Sequence, residues 1–474
     1  MNNRVNYLIK NMGLLTISNF SSKILVFLLV PLYTNILTTS EYGTYELIVS
    51  TISLIYPILT LNIVDAVMRF SMDKEYDKKK VAAIGFKYVS ISFFIVFFFI
   101  VIIQNFKIWE SLSDLTLYIV LYYVSYVLNQ YFIQLSKGME HVSDMAIAGV
   151  ISTLIMICAN LLFLLVFKWG LIGFLLANIL SQIFPAIYFM IRLKFWTLLD
   201  FLSDKKLEKE MFIYCIPLIA TVIGWWVNSA SDKYIVSFIC GVSANGILSV
   251  AYKIPQIINT LQGIFTQAWQ ISAIKEYGEE DTASFYGTTF SLINLMMCLS
   301  CMILIILSRP LAIILYAKDF YIAWKYVPFL LISSVMNCAS GLLGPILSAQ
   351  KNSKAMAISA FVGASVNIVL NIILVYVIGV QGATIATLVS SIIIYFIRKK
   401  AVDNDMKINK YMTVLITWLL LCAQACVEAY LKMWAIEIII MVTICIINKD
   451  LLKELIYKLK LVTTGIKRKI SNER

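Results

Sequence analysis

Apolar residues run through this chain in long blocks separated by short polar connections. The blocks fall near 11–36, 43–70, 81–104, 115–136, 144–167, 171–193, 211–239, 243–270, 284–308, 326–349, 355–377, 380–398, 411–430 and 434–448. A hydrocarbon core about 30 Å thick needs roughly 20 predominantly apolar residues per helical crossing. All the blocks but the last, which is the shortest, meet or approach that length. The pattern predicts an all-α integral membrane protein with about fourteen transmembrane helices.

Composition points the same way. Of 474 residues, 60% are hydrophobic and only 14% charged, against about 25% charged residues in soluble domains. A soluble chain of this length would need far more polar surface. The net charge of +12 raises the question of nucleic acid, but a nucleic-acid binder gathers Lys and Arg beside stacking aromatics on a wet face. Here they sit between apolar blocks, so no nucleic-acid partner is expected and the lipid bilayer is the nearest one. The nine cysteines, among them Cys158, Cys240, Cys298 and Cys422, lie in apolar stretches and read as reduced packing residues. Neither a metal nor a cofactor is expected. The N-terminus leads into the first block without an A-x-A site, which reads as an uncleaved first helix.

Positive residues are retained on the cytoplasmic side. With the N-terminus inside, the inner connections and tails carry Lys78, Lys79, Lys80, Lys205, Lys206, Arg398, Lys399, Lys400 and Lys407 among many others, while the outer ones carry only Lys107, Lys168, Arg309, Lys318, Lys325 and Lys432. Both termini are therefore expected in the cytoplasm. The longest connection, 194–210, mixes Phe195, Trp196 and Leu198 with Lys205, Lys206 and Lys209, which suits an amphipathic segment at the inner interface. No connection is long enough to hold a soluble catalytic domain, and the chain is not expected to be an enzyme.

The two halves repeat weakly but in order. Lys74-Glu75-Tyr76 recurs as Lys275-Glu276-Tyr277, Gly43 as Gly246, and Met145-Ala146-Ile147 as Met356-Ala357-Ile358. Gly170, Gly173, Ala177 and Ser181 recur as Gly379, Gly382, Ala386 and Ser390. The offsets of 201, 203, 211 and 209 fit a duplicated unit of six crossings. The expected organisation is two pseudo-symmetric six-helix lobes, 1–199 and 200–400, related by an axis along the membrane normal and enclosing a cleft. Two further helices and a basic tail follow over 401–474.

Ionisable residues at membrane depth are costly, so each is a functional candidate. Lys23 lies midway along the first block with Ser18, Asn19, Ser21 and Ser22 nearby, and suits the wall of a polar cavity, with a structural lysine paired to a neighbouring carboxylate as the alternative. Asp65 and Arg69 are four apart, where they can pair on one helical face; a snorkelling topological arginine and a phosphate ligand are equally open for Arg69. Asn228, Ser229, Ser231 and Asp232 form a polar stripe in the seventh block, followed by Lys233 and Tyr234. Lys253, between Tyr252 and Pro255, belongs to the next block. Neutralisation of a lysine by Asp232 stays open beside an ion-coupling role. Glu428 and Glu437, flanking Lys432, suit a hydrated rim, and His141 a solvated connection. Seven prolines, Pro57 and Pro255 among them, fall within apolar blocks as kink sites.

Leu37-x-x-x-Glu41-Tyr42-Gly43-x-Tyr45, then Pro217, Trp226 and Asp232-Lys233-Tyr234, then Gly241-x-x-x-x-Gly246 leading to Ala251-Tyr252-Lys253-Ile-Pro255, follow one another along the chain. In these motifs and in its whole length the chain resembles the oligosaccharide-lipid flippases that export O-antigen, capsule and related repeat units. Their superfamily also holds the multidrug antiporters and the lipid II flippase. The resemblance implies a MATE-like fold in a bacterial cell membrane, working by alternating access. The implied substrate is an undecaprenyl-pyrophosphate-linked oligosaccharide, moved from inner to outer leaflet, with polysaccharide polymerase machinery as a partner. A pyrophosphate crossing hydrocarbon needs fixed cations, for which Lys23, Arg69, Lys233 and Lys253 are the candidates, with Asp65 and Asp232 as ion-coupling candidates. A cation-coupled drug exporter would favour an acidic or aromatic cavity. A lipid II flippase would be expected to cluster arginines in its first helices, and no such cluster is seen.

Overall fold

The computed structural model of the protein describes residues 27–105, 114–200, 204–408 and 410–458. Among them every regular element is a helix. The first part of the chain forms α1 (Val30–Ile36), α2 (Thr39–Leu59), α3 (Ile63–Met72), α4 (Lys78–Asn105), α5 (Thr116–Gly138), α6 (Val142–Asn160), α7 (Gly170–Arg192) and α8 (Lys205–Cys240). The second part forms α9 (Val242–Ala251), α10 (Pro255–Lys275), α11 (Thr282–Ile306), α12 (Ser308–Leu315), α13 (Val327–Ala349), α14 (Ser353–Ile378), α15 (Val380–Ala401), α16 (Tyr411–Cys426) and α17 (Trp434–Ile447). All fourteen apolar blocks contain helix, so the protein is an all-α, multi-pass membrane protein. Among the described residues, eight helices are long and apolar enough to cross a bilayer singly, and up to ten if each of two bent pairs counts as one span. Phe94, Phe98, Phe238, Phe361 and Tyr376 are strongly exposed along these spans. In water they would be a liability; against acyl chains they are the expected surface.

The second of those bent pairs is α8 itself, bent by 42° between Gly224 and Trp226, and the second and eighth blocks, expected as single helices, are each broken in two. Between α2 and α3 the axis bends by 61°. Pro57 has no N–H and disturbs the preceding turn, and the chain then leaves the helix through Leu61 and Asn62, both at positive φ. Asn62 steadies the restart by donating from Nδ2 to Asp65 Oδ2 at 2.9 Å. In the eighth block the break spans residues 252–254, and α10 restarts with Pro255 in its first turn, where a missing N–H costs nothing. The two broken segments, 39–72 and 242–275, begin and end with the same offset of 203.

The chain divides into two compact units, one up to Tyr234 and one from Ile235. Within the first, α7 packs on α5 and α6, and α5 packs on α3 and α4. Within the second, α15 packs on α13 and α14, and α13 packs on α10 and α11. The contact order thus repeats as the sequence does, and so does turn geometry. Glu140 and Lys351 both adopt positive φ. The amide after each reaches back five residues, His141 N to Ser136 O and Asn352 N to Leu347 O, both at 2.9 Å. Gly170 and Gly379 both adopt positive φ before the next helix.

In the second unit α13 is almost wholly enclosed, with Leu331, Ile332, Val335, Ala339, Leu343 and Ile346 buried. Several polar groups inside bond between helices, as lipid favours. Trp418 Nε1 donates to Asn294 Oδ1 at 3.2 Å and Gln424 Nε2 to the Met302 carbonyl at 3.0 Å. Cys298 and Cys301, three apart on α11, are buried free thiols. Glu428 and Glu437 are not at a hydrated rim: both are fully buried. Glu428 accepts from Arg309 Nη2 at 2.6 Å and from Ser308 Oγ at 2.9 Å. A guanidinium on the neighbouring α12 therefore draws Glu428 inside, which spacing along the chain does not show.

Candidate functional site

The first unit holds an ion pair between two apolar helices. It begins with the start of α2, where Thr38 and Glu41 form a reciprocal cap: Glu41 N donates to Thr38 Oγ1 at 3.2 Å and Thr38 N to Glu41 Oε2 at 2.8 Å. This cap fixes the register of the helix. Tyr42, Glu46 and Ser50, spaced by four, then share one face. Opposite them, the last part of α8 presents Trp226, Lys233 and Tyr234.

Lys233 Nζ lies 2.8 Å from Glu46 Oε2 and 3.4 Å from Ser50 Oγ. The other oxygen of Glu46 accepts the Tyr42 hydroxyl at 2.7 Å. Trp226 Nε1 donates to the Ser50 carbonyl at 2.8 Å, and the hydroxyls of Tyr234 and Thr51 meet at 2.6 Å. These bonds lock the two helices together beside the pair. Tyr33 stacks on Tyr42 with ring centres 4.9 Å apart, and Phe174 meets the edge of Tyr45 at 4.6 Å. Tyr45 in turn donates to Asn178 Oδ1 at 2.9 Å. The Lys233 side chain keeps 18% of its surface exposed and Glu46 9%. Desolvating both charges offsets much of their attraction. Such a pair is held by mutual dependence.

The other sequence-derived candidates separate from this pair. Lys23 lies outside the described residues. Asp232 is buried, with Oδ1 accepting the backbone N–H of Lys233 at 2.9 Å; the lysine ammonium is bonded to Glu46, on another helix. Asp65 and Arg69 do not form the expected pair. Asp65 accepts from Asn62 and, at 3.1 Å, from Gln134 Nε2. Arg69 turns the other way along α3 and meets Asp73 at 3.4 Å, more than half exposed. The helix break explains this: Asn62, at the αL start of α3, and Gln134 of α5 occupy the carboxylate before Arg69 can. Lys253 belongs to the second unit, half-buried in the turn between α9 and α10, with its backbone N–H bonded to the Val250 carbonyl at 2.9 Å.

Glu46 itself escaped the sequence reading, although Tyr42, Glu46 and Ser50 at intervals of four carry the signal of a polar stripe. A second cluster also went unread. Asp144 at the start of α6 is nearly enclosed and accepts from His141 Nδ1 at 2.7 Å, Tyr188 OH at 2.9 Å and Arg192 Nε at 2.9 Å. His141 is thus a partner of Asp144 as well as half-exposed.

A bent, duplicated helical membrane fold with a charged pair inside its first unit defines a class, and known structures share that fold. The chain is similar to the lipid II flippase MurJ in an inward closed conformation, with 17% identity over 92% of this chain and 99% of that one and a TM-score of 0.65. It is similar to an inward-facing multidrug resistance MATE family transporter of the MOP superfamily, with 12% identity over 82% and 94% and a TM-score of 0.59. A MOP superfamily transporter from Pyrococcus furiosus, described as having a binding pocket of reversed polarity that suggests a different function, aligns with 14% identity over 83% and 93% and a TM-score of 0.51. The fold is therefore that of the MOP transporters. The chain belongs to the polysaccharide biosynthesis protein family, whose sequence profile matches residues 8–270. No curated protein sequence matches it at a significant level.

Proposed function

We propose that this protein is a flippase that carries an undecaprenyl-pyrophosphate-linked oligosaccharide repeat unit from the inner to the outer leaflet by alternating access, for export of a surface polysaccharide such as O-antigen or capsule. The observation that carries the reading is Lys233: a cation within a membrane span, partly accessible and paired with Glu46, in a chain of the polysaccharide biosynthesis family. A pyrophosphate offers Lys233 more negative charge than Glu46 does, so it competes for the ammonium while the Tyr42 hydroxyl stays on the vacated carboxylate. In this reading Lys23, Arg69 and Lys253 are further contacts for the pyrophosphate, Arg69 at the inner end of α3. Asp65 and Asp232 couple movement to an ion. The setting is a bacterial cell membrane with both chain termini in the cytoplasm, beside the polymerase machinery that would take the product.

One observation favours a second reading. Glu46 sits among Tyr33, Tyr42, Tyr45 and Trp226, the acidic and aromatic surroundings that suit an organic cation, and the MATE likeness gives a cation-coupled multidrug exporter the same fold. A lipid II flippase has the same fold too, but no feature of the pair favours it. The readings separate in proteoliposomes. A flippase moves a labelled polyprenyl-pyrophosphate oligosaccharide and loses this on Lys233→Ala; an exporter moves a cationic dye instead and loses this on Glu46→Gln.

A further inference from the structure

The second unit carries a lysine-rich pocket that the proposed transport does not use. It opens where α15 ends and the loop to α16 begins, with a volume of about 590 Å³. Lys399, Lys400 and Lys407 line it, with Asp403 as the one acid and with Phe396 and Tyr411 as apolar walls. Lys399 is committed: it pairs with Asp403 and lies over the Tyr411 ring, 5.6 Å from its centre. Among the described residues, the ammonium groups of Lys400 and Lys407 meet no acid and no hydrogen-bond acceptor, and both side chains are exposed. Basic residues in a last helical turn complement the carbonyl end of the helix, which accounts for Lys399 and Lys400. Lys407 is on the loop, beyond that explanation.

The loop is held in place from several sides. Lys407 N donates to the Ala283 carbonyl at 3.0 Å, Gln350 bonds Asp405, and Lys410 Nζ meets Asp450 at 2.6 Å. Gly287 of α11 lets the Lys407 backbone approach so closely that a methyl group there would overlap its carbonyl. Two uncommitted cations on a fixed frame offer a phosphate charge-assisted donors. The half-exposed Phe396 ring and the apolar spans on both sides place that phosphate at the membrane boundary, beside acyl chains. Basic pockets between transmembrane helices are known hosts for anionic head groups.

We infer that this pocket binds the phosphate of an anionic phospholipid head group, independently of the transported substrate. The test is native mass spectrometry of the full-length protein in detergent, with phosphatidylglycerol, phosphatidylcholine or inorganic phosphate added in separate arms. The wild-type protein should retain phosphatidylglycerol over phosphatidylcholine by about tenfold, and the double variant Lys400→Gln/Lys407→Gln should lose that preference. Asp403→Asn, which removes the one competing acid at an exposed position, should raise retention. Equal retention of the two lipids, or an undiminished preference in the double variant, would overturn the inference. Inorganic phosphate retained as well as the lipid would overturn it too, by making the site one for a soluble anion.

Discussion

Lys233 Nζ and Glu46 Oε2 stand 2.8 Å apart across two helices whose positions in the chain are nearly two hundred residues distant. Removing one partner leaves a desolvated charge, and for buried pairs this costs about 3 kcal/mol or more. Lys233→Met and Glu46→Leu should each lower the thermal midpoint of the purified protein. The double variant should recover most of the loss, because no charge is then left alone. Additive losses in the melting curves would mean that the two groups do not depend on each other.

Asp144 gathers donors from His141, Tyr188 and Arg192 at the ends of α6 and α7. Asp144→Ala removes the acceptor that the three donors share, but His141 and Arg192 are exposed enough to turn to solvent, so it should destabilise the hairpin by about 1 kcal/mol. Asp144→Asn keeps an acceptor and should cost less. Hydrogen exchange of the α6 and α7 amides reads the difference locally, and equal protection in all three proteins would contradict the role given to Asp144.

Gly379 sits between α14 and α15 at φ 63° and ψ −147°, a region open essentially to glycine alone, where a side chain costs about 1–3 kcal/mol. Its repeat counterpart Gly170 has φ 53°, near the left-handed helical region that asparagine tolerates. Gly379→Asn should therefore be much more damaging than Gly170→Asn. Comparable yields and melting temperatures for the two variants would show that the duplicated turns are under equal strain.

Asp204 caps α8. Its Oδ1 accepts the Leu207 N–H at 3.1 Å and its Oδ2 meets Lys80 Nζ at 3.2 Å. The backbone bond first, and the lysine next, hold its carboxyl below the usual carboxylate range. A group whose folded pKa is depressed contributes above its unfolded pKa, about 3.9 for Asp, and loses that contribution as pH falls through the folded value. Asp204→Ala should be less stable than the parent near neutral pH, with the gap closing in strong acid. A gap independent of pH, followed by intrinsic fluorescence during denaturation, would rule out the ionised cap.

Much of the fold was legible because lipid imposes one requirement, an apolar run of sufficient length, and the runs stand out. The expected 326–349, 380–398 and 434–448 became Val327–Ala349, Val380–Ala401 and Trp434–Ile447. The repeat was legible from residues that small size or turn geometry dictates, such as Gly170 and Gly379. The helix breaks were not. Pro57 announced a kink, but Leu61 at positive φ carries no local signal, and hydropathy is blind to a change of axis. The site was half legible. Lys233 stood out as a charge in an apolar block, whereas its partner Glu46, near an expected helix start, was not singled out. Pairing between helices is a tertiary fact, so the same blindness placed Glu428 and Glu437 at a rim and joined Asp65 to Arg69.

The central claim is that the Lys233 cation is used in transport and is not merely a structural partner of Glu46. The most direct measurement is movement of a labelled polyprenyl-pyrophosphate oligosaccharide across proteoliposomes by the wild-type protein and by the neutral pair Lys233→Met/Glu46→Gln. That pair leaves no charge stranded and should fold. The account predicts a stable protein that moves the lipid-linked sugar at no more than about one tenth of the wild-type rate, the loss expected from removing one charge-assisted contact. A neutral pair that transports as fast as the wild type would contradict it.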